Sequence, residues 1–180
     1  MSILVLGIGN LIMTDDGVGV RVAQRLMDGY RFPDGVTVLD GGTLGLDLLP
    51  HLEGVERLLM VDAVETGGPP GTVVRLAGEE IPVALQTKLS PHQMGLQDLL
   101  AVAELQGNRP AEMVLWGVQP ESIELGMELT PAVAAQFDRL VETVIAELAA
   151  WGVTPEPVDP NKLFETRSNG ATEENLRKNL

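Results

Sequence analysis

Three short apolar runs, each followed by a glycine or an aspartate, constrain the fold of this chain most strongly. The runs and the residues that follow them are 3–6 before Gly7, 36–39 before Asp40, and 58–61 before Asp62. Runs that are apolar throughout are typical of parallel strands buried on both faces. Helical patterns separate these runs, and such alternation favours an α/β fold.

The remaining patterns extend this prediction to a three-layer sandwich with a mostly parallel, five-stranded twisted sheet flanked by helices. A fifth strand is predicted over residues 113–118, which are again apolar throughout. Residues 72–76 alternate and follow a glycine- and proline-rich loop, so we expect an exposed strand, antiparallel at an edge. The sequence therefore indicates α/β architecture with one reversed strand.

Four helices complete the predicted sandwich. The first begins near Asp16 and buries Val18, Val22 and Leu26 on one face. A short helix over residues 44–52 should end in a distorted turn at Pro50. Ser90-Pro91 and Thr130-Pro131 each combine an N-cap residue with a proline at the first helical position, and the last helix should end at Gly152.

We assign residues 1–152 to a single domain and residues 153–180 to a flexible C-terminal tail. The tail region holds Pro155, Pro157 and Pro160, followed by a polar stretch. The chain has 180 residues, enough for one domain with a full core. Its 44% hydrophobic and 21% charged residues favour a globular protein over a disordered one.

The net charge and the absence of cysteine narrow the classes of function that the chain can have. The net charge is −14, and so acidic a surface repels nucleic-acid phosphates and anionic lipids. The absence of cysteine excludes disulfides, thiolate metal sites and a cysteine nucleophile. The first residues lack a basic signal region, and no run reaches about 18 apolar residues. We expect a cytoplasmic monomer with no nucleic-acid or membrane partner.

Polar residues that follow parallel strands should meet at one edge of the sheet. In open α/β sheets, ligands bind outside the carboxyl ends of the strands, where the strand order reverses. Asp16, Asp62 and His92 would supply oxygen and nitrogen ligands for a borderline metal ion. His92 lies in the first turn of a predicted helix, where the partial positive charge keeps the imidazole neutral and able to bind metal.

Each of these residues also has a structural explanation. Helix capping accounts for one residue of the pair at the start of the first helix, so we assign Asp15 to capping and Asp16 to function. A strand-end Asp62 is often a turn residue, and a lone His92 often packs in the core. The Gly7-x-Gly9 pair could begin a dinucleotide fingerprint, but the third glycine is missing, which favours a tight turn.

Several segments together resemble the hydrogenase maturation endopeptidases. They are residues 7–10, 14–19, 39–43, 61–63, 88–93 and 117–122, with Asp-Gly-Gly-Thr at 40–43 and Ser-Pro-His at 90–92 the most specific. The resemblance extends to about Gly152. It implies an endopeptidase that removes a C-terminal extension from the precursor of a [NiFe]-hydrogenase large subunit after nickel insertion.

The resemblance also implies roles for individual residues. The metal-contacting triad of the family falls on Asp16, Asp62 and His92, with Asp16 at a position that is often Glu. The precursor would supply the nickel, and no organic cofactor is expected. The metal would either polarise the peptide bond or activate water, or it would act only in recognition. The catalytic residue is not identified: Asp16 and Asp40 are candidates, and Asp40, Gly41, Gly42 and Thr43 are candidate substrate-binding residues.

Two other functions fit parts of the pattern. Peptidyl-tRNA hydrolases share the strand–Gly-x-Gly-Asn opening, but they need a basic face and a histidine soon after that loop, and this chain has neither. A non-enzymatic, nickel-dependent chaperone or checkpoint module would carry the same triad. A Ser-His-Asp relay is not apparent, because His51 is expected at the surface and His92 cannot easily serve as both metal ligand and base.

Overall fold

The computed structural model describes residues 1–85 and 91–159, with the backbone alone for residues 91–94. The strands are β1 (Ile3–Ile8), β2 (Tyr30–Arg31), β3 (Val36–Gly42), β4 (Arg57–Ala63), β5 (Val73–Ala77), β6 (Glu112–Val118) and β7 (Glu156–Pro157). The α-helices are α1 (Val18–Gly29), α2 (Leu49–Leu52), α3 (Glu80–Leu85), α4 (Pro91–Leu105), α5 (Pro131–Ala134) and α6 (Phe137–Ala150). The 3-10 turns Thr14–Gly17 and Gly45–Leu48 precede α1 and α2.

The main sheet has five strands in the order β3-β1-β4-β6-β5. The first four are parallel, whereas β5 runs antiparallel to β6 at the edge. Strand β1 lies between β3 and β4, and its Gly7 pairs with Asp40 on one side and with Val61 on the other. The predicted α/β sandwich, including its reversed edge strand, is confirmed.

Helices cover both faces of this sheet. Helices α1 and α6 pack on one face, where the predicted stripe of Val18, Val22 and Leu26 is buried in one core cluster. Helices α2, α3 and α4 contribute to a second cluster on the opposite face. Strand β1 serves both clusters because alternate side chains point to opposite faces. This explains why its sequence is apolar at every position.

Two helix predictions need correction. Pro50 does not end its helix but lies in the first turn of α2, where the missing N–H costs no helical hydrogen bond. The predicted last helix is two helices, α5 and α6, separated by Ala135 and Gln136. Thr130 precedes α5 as expected, but its side chain makes no capping hydrogen bond. Its hydroxyl donates instead to Asp15, at 2.8 Å.

The expectation of a tail from residue 153 is not met over residues 153–159. Val153 is only 6% exposed and belongs to the core cluster of α1 and α6. Strand β7 pairs antiparallel with β2, and the Val158 N–H donates to the Gly29 carbonyl at 2.8 Å. Residues up to Val158 are therefore held against the domain. The remainder of the predicted tail, residues 160–180, lies outside the described residues.

None of the helices in the described ranges is both long and apolar enough to cross a membrane.

Candidate functional site

The strand order reverses beside β1, where the chain returns from β3 on one side to β4 on the other. Helix α1 begins directly over this point. A Cβ on its Gly19 would lie 2.1 Å from the carbonyl oxygen of Val61 and 2.4 Å from that of Ile8. Only a residue without a side chain allows the helix to come this close to both strand ends. The crevice at the reversal point is therefore framed by β1, β4 and the start of α1.

Asp16 and Asp62 both lie at this crevice. Asp16 is in the 3-10 turn before α1, which contacts β4, and it is 1% exposed. Its Oδ2 accepts a hydrogen bond from the Asn10 N–H at 3.1 Å. Asp62 is the penultimate residue of β4 and is fully buried, with Oδ1 accepting from the Ala63 N–H at 2.8 Å. The structure thus places two buried carboxylates on neighbouring elements, since the turn that carries Asp16 contacts the strand that carries Asp62.

Asp15 has a different role from the capping assigned to it. Its side chain makes no cap hydrogen bond, although it is fully buried. Its oxygens accept hydrogen bonds from the backbone N–H groups of Glu121 (2.9 Å), Ser122 (3.2 Å) and Thr130 (2.8 Å), and from the Thr130 hydroxyl. The assignment to capping is wrong, because the carboxylate accepts hydrogen bonds from these long-range donors instead. Hydrogen bonds to a charged acceptor are among the strong ones.

The loop after β6, residues 119–130, is therefore tied to the loop after β1. Backbone hydrogen bonds reinforce the link: the Thr14 N–H donates to the Gly126 carbonyl at 2.8 Å, and the Gly126 N–H donates to the Ile12 carbonyl at 3.0 Å. A third loop joins them through Gln119, whose Oε1 accepts from the Thr66 N–H at 2.7 Å. The loops that follow β1, β4 and β6 thus form one connected rim.

Gln119 was not singled out as a structural residue by the sequence analysis. It is only 8% exposed and holds the loop after β4 through both the N–H and the hydroxyl of Thr66. The available signal was a polar amide placed directly after an apolar strand, where burial requires hydrogen-bond partners.

Asp40 lies at the end of β3, on the other side of β1 from Asp62. This half-buried carboxylate accepts from the Gly42 N–H at 3.0 Å and from the Gln24 side-chain amide at 3.1 Å. Gly42 has a φ of +46°, a left-handed conformation that favours glycine. Gly41 is buried and Thr43 is exposed. Gln24, on α1, orients Asp40 and was also missed by the sequence analysis.

His92 is the second residue of α4, but its side chain lies outside the described residues. The start of this helix packs beside the turn after β3, since a Cβ on Gly45 would lie 3.3 Å from the Gly95 Cα. Among the side chains that are described, no three His, Cys, Asp or Glu residues form a metal-binding group. The predicted triad therefore depends on His92 and stays a prediction, whereas His51 is exposed, as expected.

Comparison with known proteins identifies the family to which the chain belongs. The model of the hydrogenase maturation protease family, HycI, matches residues 20–147. The chain belongs to the hydrogenase maturation protease family. The Hydrogenase 2 maturation protease of Escherichia coli (strain K12) is 43% identical over 149 residues, which is 82% of this chain and 91% of that relative.

Solved structures agree with this assignment. The hydrogenase maturating endopeptidase HybD from E. coli matches with a TM-score of 0.83 at 42% identity, covering 87% of this chain and 98% of that one. The [NiFe] hydrogenase maturation protease HybD from Thermococcus kodakarensis matches with a TM-score of 0.67 at 35% identity, covering 80% and 97%. The family, the α/β fold and the peptidase class predicted from the sequence are confirmed.

In this hydrogenase maturation protease, Asp16, Asp40 and Asp62 all lie towards the carboxyl edge of the parallel strands. Asp16 and Asp62 can provide oxygen ligands to a cation, because carboxylate oxygens are common metal ligands in proteins. Asp40, one strand away, is held in a fixed orientation by Gln24 and Gly42. The connected rim links the loops that follow β1, β4 and β6.

Proposed function

We propose that the chain removes the C-terminal extension of a [NiFe]-hydrogenase large-subunit precursor after nickel insertion. The observation that carries the proposal is the burial of Asp16 and Asp62 at neighbouring strand ends in a member of a protease family. The printed names of the relatives, which include a [NiFe] hydrogenase maturation protease, support the choice of substrate.

Nickel belongs to the substrate in this proposal, because it arrives bound to the precursor. Asp16, Asp62 and His92 would offer it two oxygen ligands and one nitrogen ligand, a set that suits a borderline divalent ion. The two carboxylates are 1% and 0% exposed, and buried negative charge is stabilised by a nearby cation. A precursor without nickel would bring no such charge, so the same residues would distinguish the two forms.

Asp40 and the turn after it are proposed to act on the peptide. Asp40 lies on β3, on the other side of β1 from Asp62. Its two hydrogen bonds hold the carboxylate in one orientation beside the crevice. Gly41 is buried, whereas Thr43 is exposed and could contact an extended chain. We assign Asp40, Gly41, Gly42 and Thr43 to positioning the substrate, with Asp40 also a candidate to assist the reaction.

The test uses nickel-loaded and nickel-free large-subunit precursor, each mixed with the protein and followed by intact mass. Loss of the extension from the loaded form alone is the expected result. Binding without any loss of mass would instead favour a non-enzymatic checkpoint. Cleavage of both forms at equal rates would contradict nickel recognition. The cytoplasmic location and monomeric state expected from the sequence stay predictions.

The Asp62→Asn variant removes one proposed ligand charge, and we expect it not to process the loaded precursor. Asp47 is a matched control, because it is an exposed carboxylate in the turn Gly45–Leu48 at the same edge of the sheet. Asp47→Asn should process at the wild-type rate. Equal loss in both variants would show that overall charge, and not the crevice, controls processing.

A further inference from the structure

Three large apolar side chains project into solvent next to the crevice. Ile12 is 51% exposed, Leu125 is 81% exposed and Met127 is 66% exposed. Ile12 lies in the loop after β1, and the other two lie in the loop after β6. Met13 and Gly126 form a parallel bridge, which places these three residues side by side. Clustered exposed apolar side chains mark interaction surfaces, whereas isolated ones need no explanation.

The loop that carries Leu125 and Met127 is held in place. Asp15 accepts hydrogen bonds from both ends of the segment, at Glu121, Ser122 and Thr130. The guanidinium of Arg21 donates to the carbonyl of Met127. The apolar side chains are therefore presented by an ordered backbone, and less conformational entropy is lost when a partner covers them.

The same hydrogen bonds connect this surface to the proposed reaction site. Asp15, which holds the loop, is next in sequence to Asp16, which lies in the crevice. Ile12 precedes both within the loop after β1. Ile12 and Asp16 thus lie four positions apart in the segment that joins β1 to α1, which places the apolar surface beside the crevice.

The charges around the surface indicate the kind of partner. Glu121, Glu124 and Glu128 are exposed, and residues 119–130 contain no Lys, Arg or His. These three carboxylates outnumber the guanidinium of Arg21, which contacts this loop. An apolar segment with basic side chains on either side would match both the exposed apolar side chains and the acidic residues around them. A second copy of this chain matches poorly, because each copy has a net charge of −14.

We propose that Ile12, Leu125 and Met127 form a docking lip, on which an apolar segment of the large-subunit precursor, flanked by basic residues, binds beside the crevice. The inference rests on the proposed function, since it names the surface that holds the same substrate. Ile12, Leu125 and Met127 are not among the proposed metal ligands. Its contribution should therefore appear in binding, also for precursor that carries no nickel.

The experiment compares Leu125→Ser/Met127→Ser with Met27→Ser/Leu105→Ser. The control residues are also exposed, at 42% and 86%, but they lie near the ends of α1 and α4 at the opposite edge of the sheet. We expect the lip variant to raise the Kd for nickel-free precursor, and the KM for loaded precursor, by about tenfold. The kcat should be unchanged, and the control should match wild type.

The outcomes separate the two proposals. If wild type binds nickel-free precursor and the lip variant has the same Kd and KM, the docking lip is overturned. If wild type cleaves neither form, the proposed function fails, and the Kd comparison still decides the lip. Sedimentation analysis of the protein alone tests self-association: a dimer that only the lip variant disrupts would assign the surface to a second copy and overturn the proposal.

Discussion

The carboxylate of Asp15 accepts a hydrogen bond from the hydroxyl of Thr130 at 2.8 Å, across 115 positions of the chain. It joins the turn before α1 to the residue that precedes α5. The neighbouring carboxylate, Asp16, lies in the crevice between β1 and β4. Two consecutive aspartates thus have different surroundings: Asp15 holds a distant loop, and Asp16 accepts a hydrogen bond from the Asn10 N–H.

Replacing Asp15 by Asn should destabilise the protein. The asparagine amide keeps the shape of the carboxylate but loses its charge. Its NH₂ group cannot accept the hydrogen bonds that the backbone N–H groups donate to Asp15. We expect the free energy of unfolding to fall by roughly 2–4 kcal/mol, measured by urea denaturation. The control Asp47→Asn, at an exposed position, should change it by about 0.5 kcal/mol or less. Similar stability of both variants would contradict the role of Asp15.

A methyl group at Gly19 should be poorly tolerated. The new Cβ would meet the backbone carbonyl oxygens of Val61 and Ile8, at 2.1 and 2.4 Å, and neither can rotate away. Gly19→Ala should therefore lower the free energy of unfolding by roughly 2–3 kcal/mol and displace the start of α1, with loss of processing. Thermal unfolding and intact-mass assays measure the two effects.

Gly29 provides the matched control for this substitution, because it belongs to the same helix. Nothing lies within 4 Å of a Cβ built on Gly29. Gly29→Ala should leave stability unchanged or raise it by about 0.5–1 kcal/mol, since alanine restricts the unfolded chain. If the two variants behave alike, close approach of α1 to the strand ends is not what requires Gly19.

Glu147 should make stability depend on pH. Its hydrogen bonds to Arg75, at 2.7 and 2.8 Å, lower its pKa below the ordinary 4.5, with burial acting in the opposite direction. The lowered pKa means that the ion pair contributes fully above about pH 4.5 and that this contribution is lost as the pH falls through the folded-state pKa.

The Glu147→Gln variant isolates that contribution. At pH 7 it should be less stable than wild type by about 1–2 kcal/mol, a modest value because Arg75 is 42% exposed on its side chain. The difference should shrink as the solution is acidified below pH 4.5. Urea denaturation at several pH values measures it, and a difference that stays constant down to pH 2 would argue against the ion pair.

The proposed metal ligands can be tested by single substitutions. Asp62→Ala and His92→Ala should each abolish processing of nickel-loaded precursor, because each removes one ligand. Both should retain the wild-type far-ultraviolet circular dichroism spectrum, which shows that the fold survives. Either variant processing at the normal rate would remove that residue from the site.

The sequence by itself determined the architecture and the positions of the strand-end residues. Runs that are apolar throughout, such as residues 3–6, require burial on both faces, and periodic residues such as Val18 and Val22 require a helix on one face. These patterns repeat over a few residues, so they can be read locally. The reversal of strand order then predicted that Asp16 and Asp62 would lie at one crevice; in the structure the turn that carries Asp16 contacts β4, which carries Asp62, and their shared site stays a prediction.

Only the tertiary structure decided the tasks of individual polar groups. Asp15 was expected to cap a helix, but donors more than 100 residues away bind it instead. Residues 153–159 were expected to be a tail, but Val153 completes the core and β7 pairs with β2. A carboxylate or a short segment has several partners of comparable energy, and long-range packing decides which of them comes within hydrogen-bonding distance.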